Sequence, residues 1–357
     1  ALAKELKKRH YEVTLVTHTL DGFEEPPFEQ EGIRIISLSR KISVTGFFRK
    51  ISILRSLFKT ADIVFYQKCF HFTSVPVLIA AWLENKPVHY DWDDNEAAIY
   101  FSGKTIPSYW IGWGLFCLER ILPRLADTVS YSSESLKKNL VSMGISEEKM
   151  LKIPVGAYPL NGNEQWKIER VQWIGDQFSI IYIGQLHGAQ YAEMLLYACK
   201  MLSDHSIPYK TVLLGDGYDR MRLEKIRDDF NLSNVFFTGS VPHEEVPQWI
   251  ASCKVAVACF EDNVVTRAKS PLKIVEYLSC GKAIIASDVG EVRTLTGDAA
   301  LLIPPGNVQA LFEALQFLYD HPEKILEYEE RARKQAKEIS WSRRGEALHL
   351  FFEKKFL

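Results

Sequence analysis

The sequence predicts an α/β protein with two domains, each a parallel β-sheet flanked by crossover helices. Short apolar segments typical of buried strands alternate with amphipathic segments of helical spacing. This alternation runs from residue 11 to residue 143 and starts again at residue 179. A largely polar segment containing Asn161, Gly162 and Asn163 separates the two runs and is typical of an interdomain linker.

Length and composition set the class of protein. The 357 residues suffice for two ordinary domains, and 47% hydrophobic with 25% charged residues is typical of a globular protein. A net charge of −2 provides no general attraction to nucleic acid, so we expect no nucleic-acid partner. The six cysteines lack zinc-ligand spacing and no apolar run is long enough to span a membrane. We therefore expect a cytoplasmic protein, soluble or peripherally bound to the inner face of the membrane.

The first domain is expected to open with a helix over residues 1–10, followed by strands over 11–17 and 33–38. An α/β domain normally begins with a strand before its first helix. We therefore expect that one βα unit of about 15–30 residues precedes this numbering. Residues 21–31, acidic and proline-bearing, are expected to form a loop.

Residues 40–59 form a basic segment with apolar residues at helical spacing. The segment contains six basic residues and no acidic one. Such a helix can lie in the headgroup region of an anionic membrane. An ordinary helix with a buried apolar side and a solvated basic face explains the pattern equally well.

Polar side chains follow the next two strands, predicted over 62–67 and 87–91 on either side of a helix over 73–83. Because parallel strands end at the same edge of a sheet, these side chains are expected to meet there. They are Lys68 and His71 after the first strand, and Asp91, Trp92, Asp93 and Asp94 after the second.

These residues suggest a site for a hydroxyl-bearing molecule. A carboxylate such as Asp93 or Asp94 can hold a hydroxyl or take its proton, and Trp92 can offer a flat face to a sugar ring. Two alternatives stay open, namely a Mg²⁺ site and a solvated turn whose aspartates cap a helix. A helix over 108–126, a strand over 127–130 and a helix over 133–143 complete this half.

The second half is organised around the segment S-P-L-K-I-V-E-Y, which starts at Ser270 and is followed by a buried strand over 283–286. Pro271 suits a first helical turn, and the free N–H groups of that turn attract anions. Lys273 adds a positive charge there, and Glu276 can accept two sugar hydroxyls. A site that holds diphosphate and ribose together is a nucleotide site.

The strands before this segment end in G-Q-L, G-D-G and T-G-S-V-P-x-x-E-V-P, after residues 183, 214 and 237. In this order, with S-P-x-K-x-x-E-Y, the motifs resemble the donor domain of retaining glycosyltransferases of family 4. Those enzymes have the GT-B fold, in which two Rossmann-like domains face each other across a cleft. The K-C-F-H and D-W-D-D-x-E segments resemble the acceptor domain of some members of the family.

The resemblance implies the domain boundaries and the partners. The acceptor domain would cover 1–158, a linker 159–174, the donor domain 175–340, and a helix over 341–357 would cross back to the first domain. The donor would be a nucleotide-diphosphate sugar and the acceptor a glycan or a lipid-linked molecule, as in cell-surface polysaccharide synthesis. No metal or other cofactor is expected.

The resemblance also implies roles for individual residues. Glu276 would bind the ribose, and Lys273 and Arg267 would bind the diphosphate. Acceptor binding would involve Lys68, His71, Asp91 and Trp92, with Asp93 and Asp94 as catalytic carboxylates. The remaining donor-binding positions would be Gly184, Gln185, Gln190, Gly215, Gly217, Ser240, Val241, Pro242, Ser270, Pro271 and Leu272.

Three positions depart from the family pattern. Family members usually carry Arg and Lys where this chain has Gln185 and Gln190, and a Glu where it has Ala268. Glutamine can donate hydrogen bonds but brings no charge, and charge-assisted bonds are about twice as strong. Either Lys273 and Arg267 supply the charge and the protein is an active hexosyltransferase, or it is a binding or scaffold subunit without catalysis.

Overall fold

The computed structural model describes residues 1–19, 26–40, 43–103, 105–160, 174–187 and 192–356. Most of the predicted linker and Gln190 lie outside these residues. The chain divides into two compact units. Unit 1 comprises Ala1–Pro154, Ala268–Ser270 and Trp341–Leu357, and unit 2 comprises Val155–Arg267 and Pro271–Ser340.

Unit 1 contains two β-sheets and seven helices within the described residues. Its strands are β1 Thr14–Thr19, β2 Phe28–Gln30, β3 Ile33–Ser39, β4 Val64–Gln67, β5 Val88–Trp92, β6 Thr128–Tyr131 and β7 Met150–Lys152. Its helices are α1 Leu2–Lys7, α2 Val44–Phe58, α3 His71–Leu83, α4 Glu96–Phe101, α5 Ile106–Leu125, α6 Glu134–Ser142 and α15 Trp341–Phe356. Helix α15 packs against α1.

The two sheets of unit 1 have the orders β1-β3-β2 and β4-β5-β6-β7. All their pairings are parallel except that of β2 with β3. Strand β2 lies where the sequence predicted a loop, and all three of its residues are exposed, so it carries no alternating pattern. The register of the second sheet sets Gln67 beside Asp91 and Asp91 beside Ser130, which matters for the site below.

Unit 2 is a six-stranded sheet with helices on both faces. Its strands are β8 Ser179–Ile183, β9 Lys210–Leu214, β10 Val235–Gly239, β11 Val255–Ala258, β12 Ala283–Ser287 and β13 Ala300–Ile303. Its helices are α7 Ala192–Asp204, α8 Arg220–Asp229, α9 Val246–Ser252, α10 Val264–Ala268, α11 Leu272–Ser279, α12 Val292–Thr296, α13 Val308–Asp320 and α14 Pro322–Glu338; the last residue of α10 is grouped with unit 1.

The order of this sheet, β10-β9-β8-β11-β12-β13, is that of a Rossmann fold, and every pairing is parallel. Alternate residues of β8 enter different cores: Ile180 and Tyr182 pack with α7 and α13, whereas Ile181 and Ile183 pack with α9 and α11. The strand order reverses between β8 and β11. In such sheets ligands bind at the carboxyl ends of the strands beside this reversal.

Helix α2 occupies most of the basic segment predicted over 40–59. Its apolar residues Ile51, Leu54 and Phe58 are buried, and Leu54 and Phe58 belong to the main core of unit 1. The helix therefore buries most of its apolar side in the protein, as in the ordinary-helix alternative, and leaves Val44 and Phe48 exposed. Across the described part of the chain, no helix combines the length and hydrophobicity needed to cross a bilayer.

Candidate functional site

The loops that follow β8, β9 and β10 are joined through glycine backbone. The N–H of Gly184 donates to Leu214 (3.0 Å), and the N–H of Gly215 donates to Gly239 (3.1 Å). A Cβ on Gly215 would lie 1.9 Å from the carbonyl oxygen of Gly184, and its φ of +137° is one that other residues rarely adopt. Only glycine fits there, and the three strand ends are thereby held together.

Lys273 brings a buried cation to this edge of the sheet. It lies in the first turn of α11, and its side chain is held among aromatic rings. Its Nζ is 4.0 Å from the centroid of the Tyr182 ring and 5.4 Å from that of Phe260. A Cβ on Gly184 would lie 3.2 Å from the same Nζ. The positive charge therefore lies directly beside the loop after β8.

Glu276 lies one turn further along α11. Burial raises the pKa of its carboxyl, and the positive charges of His243 and Lys273 oppose this rise. His243 comes from the loop after β10, in a 3-10 turn over His243–Glu245. The sequence analysis did not select His243, which occupies the first unspecified position of the T-G-S-V-P-x-x-E-V-P motif. Ser240 and Pro242 of the same loop are exposed, and Val241 is half-buried.

A flat aromatic pair flanks the loop after β9. The rings of His187 and Tyr218 stack with centroids 4.2 Å apart and an angle of 7° between their planes. The N–H of Leu186 donates to the carbonyl of Asp216 (3.0 Å) and ties the two loops. A Cβ on Gly217 would lie 2.3 Å from the Leu186 carbonyl oxygen, so this position also needs glycine. Tyr218, which carries no motif signal, is largely exposed.

Arg267 and Gln185, which were predicted to bind the donor together with Lys273, are not buried as Lys273 is. The guanidinium of Arg267 forms two hydrogen bonds to Asp262, one of them 2.7 Å long, and both side chains are exposed. Gln185 is exposed. Ser270 is grouped with unit 1, whereas Pro271, which precedes α11, and the exposed Leu272, its first residue, belong to unit 2. Lys273 is therefore the buried cation of the predicted donor-binding set, and Arg267 has its charge balanced by its neighbour.

In unit 1, Lys68 forms ion pairs with the carboxylates that follow β5. Its Nζ lies 2.9 Å from Asp93, 3.1 Å from Asp94 and 2.8 Å from Glu96. Burial alone would lower the pKa of Lys68, but the three carboxylates more than offset this effect and raise it. These carboxylates lie within 4.8 Å of one another, close enough to hold a metal ion. The ammonium of Lys68 already supplies a positive charge to all three.

Asp93 and Asp94 both stay accessible to a ligand, because just over a quarter of each side chain is exposed. Asp93 also accepts a 3.1 Å hydrogen bond from Gln67. Burial raises the pKa of Asp93, Lys68 opposes the rise and Asp94 adds to it. Its proton affinity is thus higher than that of an ordinary aspartate.

Asp91 lies behind this cluster in a buried polar row. Ser130 Oγ donates to one of its oxygens, and Gln67 Nε2 donates to the other over 3.1 Å. His89 Nε2 lies 3.0 Å from Ser130 Oγ, and His89 Nδ1 lies 2.8 Å from Thr128 Oγ1. Burial raises the pKa of Asp91 to about 7 and lowers that of His89 to about 3. Gln67, Ser130 and His89 were not predicted as site residues.

Trp92 does not have the predicted position. Its side chain is 2% exposed and belongs to the core of unit 1, where it stacks near Tyr90. The prediction that its ring faces a sugar is therefore wrong, because both faces of β5 are buried. His71 is exposed at the first residue of α3, so it stays accessible.

The two units, one a Rossmann-fold sheet with a glycine-lined edge and the other an α/β unit with a carboxylate cluster, define a protein of the GT-B fold class. Residues 1–156 match the glycosyl transferase 4-like domain, and residues 164–338 match the glycosyl transferases group 1. The chain therefore belongs to the group 1 glycosyltransferases with a family 4-like first domain, as the sequence motifs predicted.

Individual relatives are distant. Over 155 residues, 42% of this chain, it is 25% identical to alpha-D-kanosaminyltransferase of Streptomyces kanamyceticus. Over 250 residues, 66% of this chain, it is 22% identical to a sulfoquinovosyl transferase of Arabidopsis thaliana. These matches span 38% and 47% of the relatives' own lengths. The crystal structure of HepE of Anabaena with UDP-glucose has a TM-score of 0.73 at 16% identity, covering 96% of this chain and 99% of HepE.

Proposed function

We propose that this protein transfers a hexose from a nucleotide-diphosphate sugar to an acceptor hydroxyl, with the donor on unit 2 and the acceptor on unit 1. The observation that carries the proposal is the position of Lys273. Its ammonium lies beside Gly184 in the first turn of α11, at the edge of a Rossmann sheet. A buried cation beside glycine backbone and a helix N-terminus is suited to a diphosphate.

The other donor contacts follow from this placement. Gly184, Gly215 and Gly217 would let the diphosphate approach the backbone, and the N–H of Leu272 would donate to it. Glu276 would accept hydrogen bonds from the ribose hydroxyls, and the nearby His243 and Lys273 oppose the rise of its pKa. The backbone of 240–242 would contact the base. UDP is the first nucleotide to test, because HepE, which has a similar fold, was crystallised with UDP-glucose.

The rate would come mainly from stabilising the negative charge that develops on the leaving diphosphate. A preorganised cation in a site without water provides this stabilisation without reorganisation cost. Lys273 would supply it, and Arg267 would contribute only after leaving Asp262. Retention of the anomeric configuration is the outcome we propose from the family.

On unit 1, Asp93 would accept the hydrogen bond of the acceptor hydroxyl. Its raised pKa suits a group that takes up part of a proton during transfer. Asp94 would share this role, and Lys68 would hold both carboxylates in place without a metal ion. Asp91 is too buried to touch the acceptor and would position Asp93 through Gln67. The acceptor we propose is a glycan or a lipid-linked molecule of cell-surface polysaccharide synthesis.

Calorimetric titration with UDP and with GDP tests the donor half of this proposal. We expect one of the two to bind, and to bind more weakly to Lys273→Met, in which the charge is lost but the packing between rings is kept. Lys225→Met, which removes a largely exposed lysine of the same unit, is the matched control. If neither nucleotide binds, the transferase proposal fails.

The second candidate is a binding or scaffold subunit without catalysis. Three observations favour it: Gln185 is neutral and exposed, Ala268 is fully buried in the core of unit 1, and Arg267 is paired with Asp262. Release of free nucleotide from the sugar nucleotide only when an acceptor is present would identify the transferase. Binding of the sugar nucleotide without any release, across a panel of lipid-linked and glycan acceptors, would identify the subunit.

A further inference from the structure

Helix α5 exposes an apolar stripe along its whole length. The stripe consists of Ile106, Trp110, Trp113, Cys117, Ile121 and Leu125. Steps of three and four residues place these side chains on one face of the helix. Ile106 and Trp110 are 75% and 70% exposed, and the other members are also exposed to solvent. Over 20 residues the stripe is about 30 Å long.

The opposite face of α5 accounts for the folding of the helix. Gly112, Leu115, Glu119 and Leu122 are buried there, and α4 and α3 pack against the helix. The exposed apolar residues are therefore not needed to attach α5 to unit 1. Tyr109, half exposed, lies next to the stripe and contacts Trp113. A contiguous apolar surface of this kind marks an interaction site.

Both exposed charged residues of α5 are positive. Arg120 and Arg124 are exposed on α5, and Glu119, the only acidic residue of the helix, is buried. The carboxylate of Glu119 is occupied by the N–H groups of Glu96 and Ala97 at the start of α4 (2.7 and 3.3 Å). The exposed face of α5 is thus apolar and aromatic, with two cationic side chains and no anionic one.

We propose that the α5 stripe docks the protein onto an anionic lipid surface, with the helix lying in the plane of the headgroups. Tryptophan and tyrosine side chains favour this boundary because one end is apolar and the other can hydrogen-bond. The arginines reach phosphate groups while their stems cover apolar surface. The interaction surface is α5 rather than α2, whose apolar residues are largely buried. This proposal does not depend on the transferase activity.

Charge complementarity selects lipid over a second copy of the chain. In a symmetric dimer the stripes would face each other, and the arginines of both copies would meet without a carboxylate from α5 to balance them. A bilayer with anionic headgroups balances both arginines and accepts the aromatic side chains at the same depth. A dimer through α5 is the competing outcome of the experiments below.

The first experiment is vesicle flotation of the full chain. One set of vesicles contains phosphatidylcholine alone, and the other contains equal parts of phosphatidylcholine and phosphatidylglycerol. We expect the protein to float with the anionic set and to stay in solution with the neutral set. Added salt should weaken the binding, because the arginines contribute through screened charge. Binding to neither set overturns the proposal.

Variants of the stripe measure its contribution. Trp110→Ser should lower the partition coefficient about tenfold, which is typical for exposing one large apolar side chain. Arg120→Gln should lower it about fivefold, the effect of one basic residue near an anionic surface. Trp82→Ser removes an equally exposed tryptophan from the end of α3, outside the stripe, and is the matched control. Equal losses with Trp110→Ser and Trp82→Ser would contradict docking through α5.

The native Cys117 provides an independent probe. It lies in the middle of the stripe and is exposed, whereas the other five cysteines are buried or half-buried. A polarity-sensitive fluorophore on Cys117 should shift to the blue with anionic vesicles. The same label on Met221→Cys, in a Cys117→Ser background, should not shift, since Met221 is an exposed residue of unit 2. Equal shifts at both positions would contradict the proposed orientation.

Light scattering in the absence of lipid shows whether the protein is a monomer or the competing dimer through α5. A monomer that binds anionic vesicles supports the proposal. A dimer that Trp110→Ser converts to a monomer assigns the stripe to a second copy and overturns the lipid assignment. The substituted side chains are exposed, so we expect unchanged unfolding midpoints, and a variant that unfolds is replaced by Ile121→Ser, also on the stripe.

Discussion

Lys273 and Tyr182 form a cation–π contact, with Nζ 4.0 Å from the ring centroid. Tyr182 is fully buried in β8, and Lys273 lies in the first turn of α11. The contact therefore joins the first strand of the Rossmann sheet to the helix whose N-terminus lies at its edge. A desolvated contact of this kind stabilises by about 2 kcal/mol. The ammonium is thus held in position before any anion arrives, which is what electrostatic catalysis requires.

Lys273→Met should therefore abolish most of the activity without unfolding unit 2. Loss of one preorganised charge typically lowers kcat by about a hundredfold or more. Methionine keeps an unbranched apolar stem between the rings, so we expect a small change in the unfolding midpoint. The measurement is turnover of the sugar nucleotide that binds in calorimetry, with Lys225→Met as the control. Unchanged turnover in Lys273→Met would remove Lys273 from the mechanism.

Gly215→Ala should disrupt the edge of the sheet that carries the proposed donor site. The new Cβ would lie 1.9 Å from the Gly184 carbonyl oxygen, so one of the two loops must move. Gly306→Ala is the matched control, because Gly306 also has a positive φ but nothing within 4 Å of a Cβ. The control should cost about 1 kcal/mol of backbone strain.

We expect Gly215→Ala to cost clearly more than Gly306→Ala in urea unfolding, and to lose nucleotide binding even where it stays folded. Equal free energies of unfolding for the two variants would show that the contact between the loops relaxes easily. If Gly215→Ala binds the nucleotide as tightly as the parent protein, the contact between the loops is not needed for nucleotide binding.

The His243 and Glu276 pair predicts a pH effect on nucleotide binding. Burial raises the pKa of Glu276, and the positive charge of His243 lowers it again. In the proposed function the ionised carboxylate of Glu276 accepts the ribose hydroxyls, so nucleotide affinity should fall as the pH decreases through this pKa. In His243→Gln the opposing charge is gone, so the fall should begin at a higher pH.

Calorimetric titration of the nucleotide across a pH series checks this shift. Glu244→Gln, at an exposed neighbour of His243, should leave the profile of the parent protein unchanged. Glu276→Ala should weaken nucleotide binding at every pH and remove the fall in affinity at low pH. Superimposed profiles of His243→Gln and the parent protein would show that His243 does not act on Glu276.

The sequence predicted the frame of unit 2 well, because short apolar runs that end in glycine indicate buried parallel strands. The strand ends predicted at residues 183 and 214 are those of β8 and β9, and the strand predicted over 283–286 corresponds to β12 within one residue. Motif glycines such as Gly215 could also be placed at strand ends, since topology determines where those ends lie. An exposed three-residue strand such as β2 leaves no pattern and was missed.

The relations between side chains could not be predicted in the same way. Gln67, Asp91 and Ser130 are adjacent because of strand register, and nothing local to each residue encodes that register. Trp92 was misplaced because a strand buried on both faces carries no alternation to show which side chains stay accessible. For α2, helical periodicity predicts an apolar side but does not distinguish a protein core from a membrane. In each case the missing information is which parts of the chain pack against one another in the folded protein.

Asp91→Asn tests the buried row directly, through stability rather than activity. Burial raises the pKa of Asp91 from 3.8 to about 7. Between these values the folded protein keeps a proton that the unfolded chain has lost, so this residue makes the free energy of unfolding fall as the pH rises.

In Asp91→Asn, the asparagine still accepts a hydrogen bond from Ser130, and the exposed Gln67 can turn its amide to match. The free energy of unfolding can be measured in urea at about pH 5 and about pH 8. Relative to the parent protein, the free energy of unfolding of Asp91→Asn should be higher at pH 8 than at pH 5 by on the order of 2–4 kcal/mol. Glu119, whose pKa burial also raises to about 7, is present in both proteins and cancels in the comparison. A difference between the two proteins that does not change with pH would mean that Asp91 is ionised in the folded state throughout, and that Gln67 and Ser130 fully compensate for its burial.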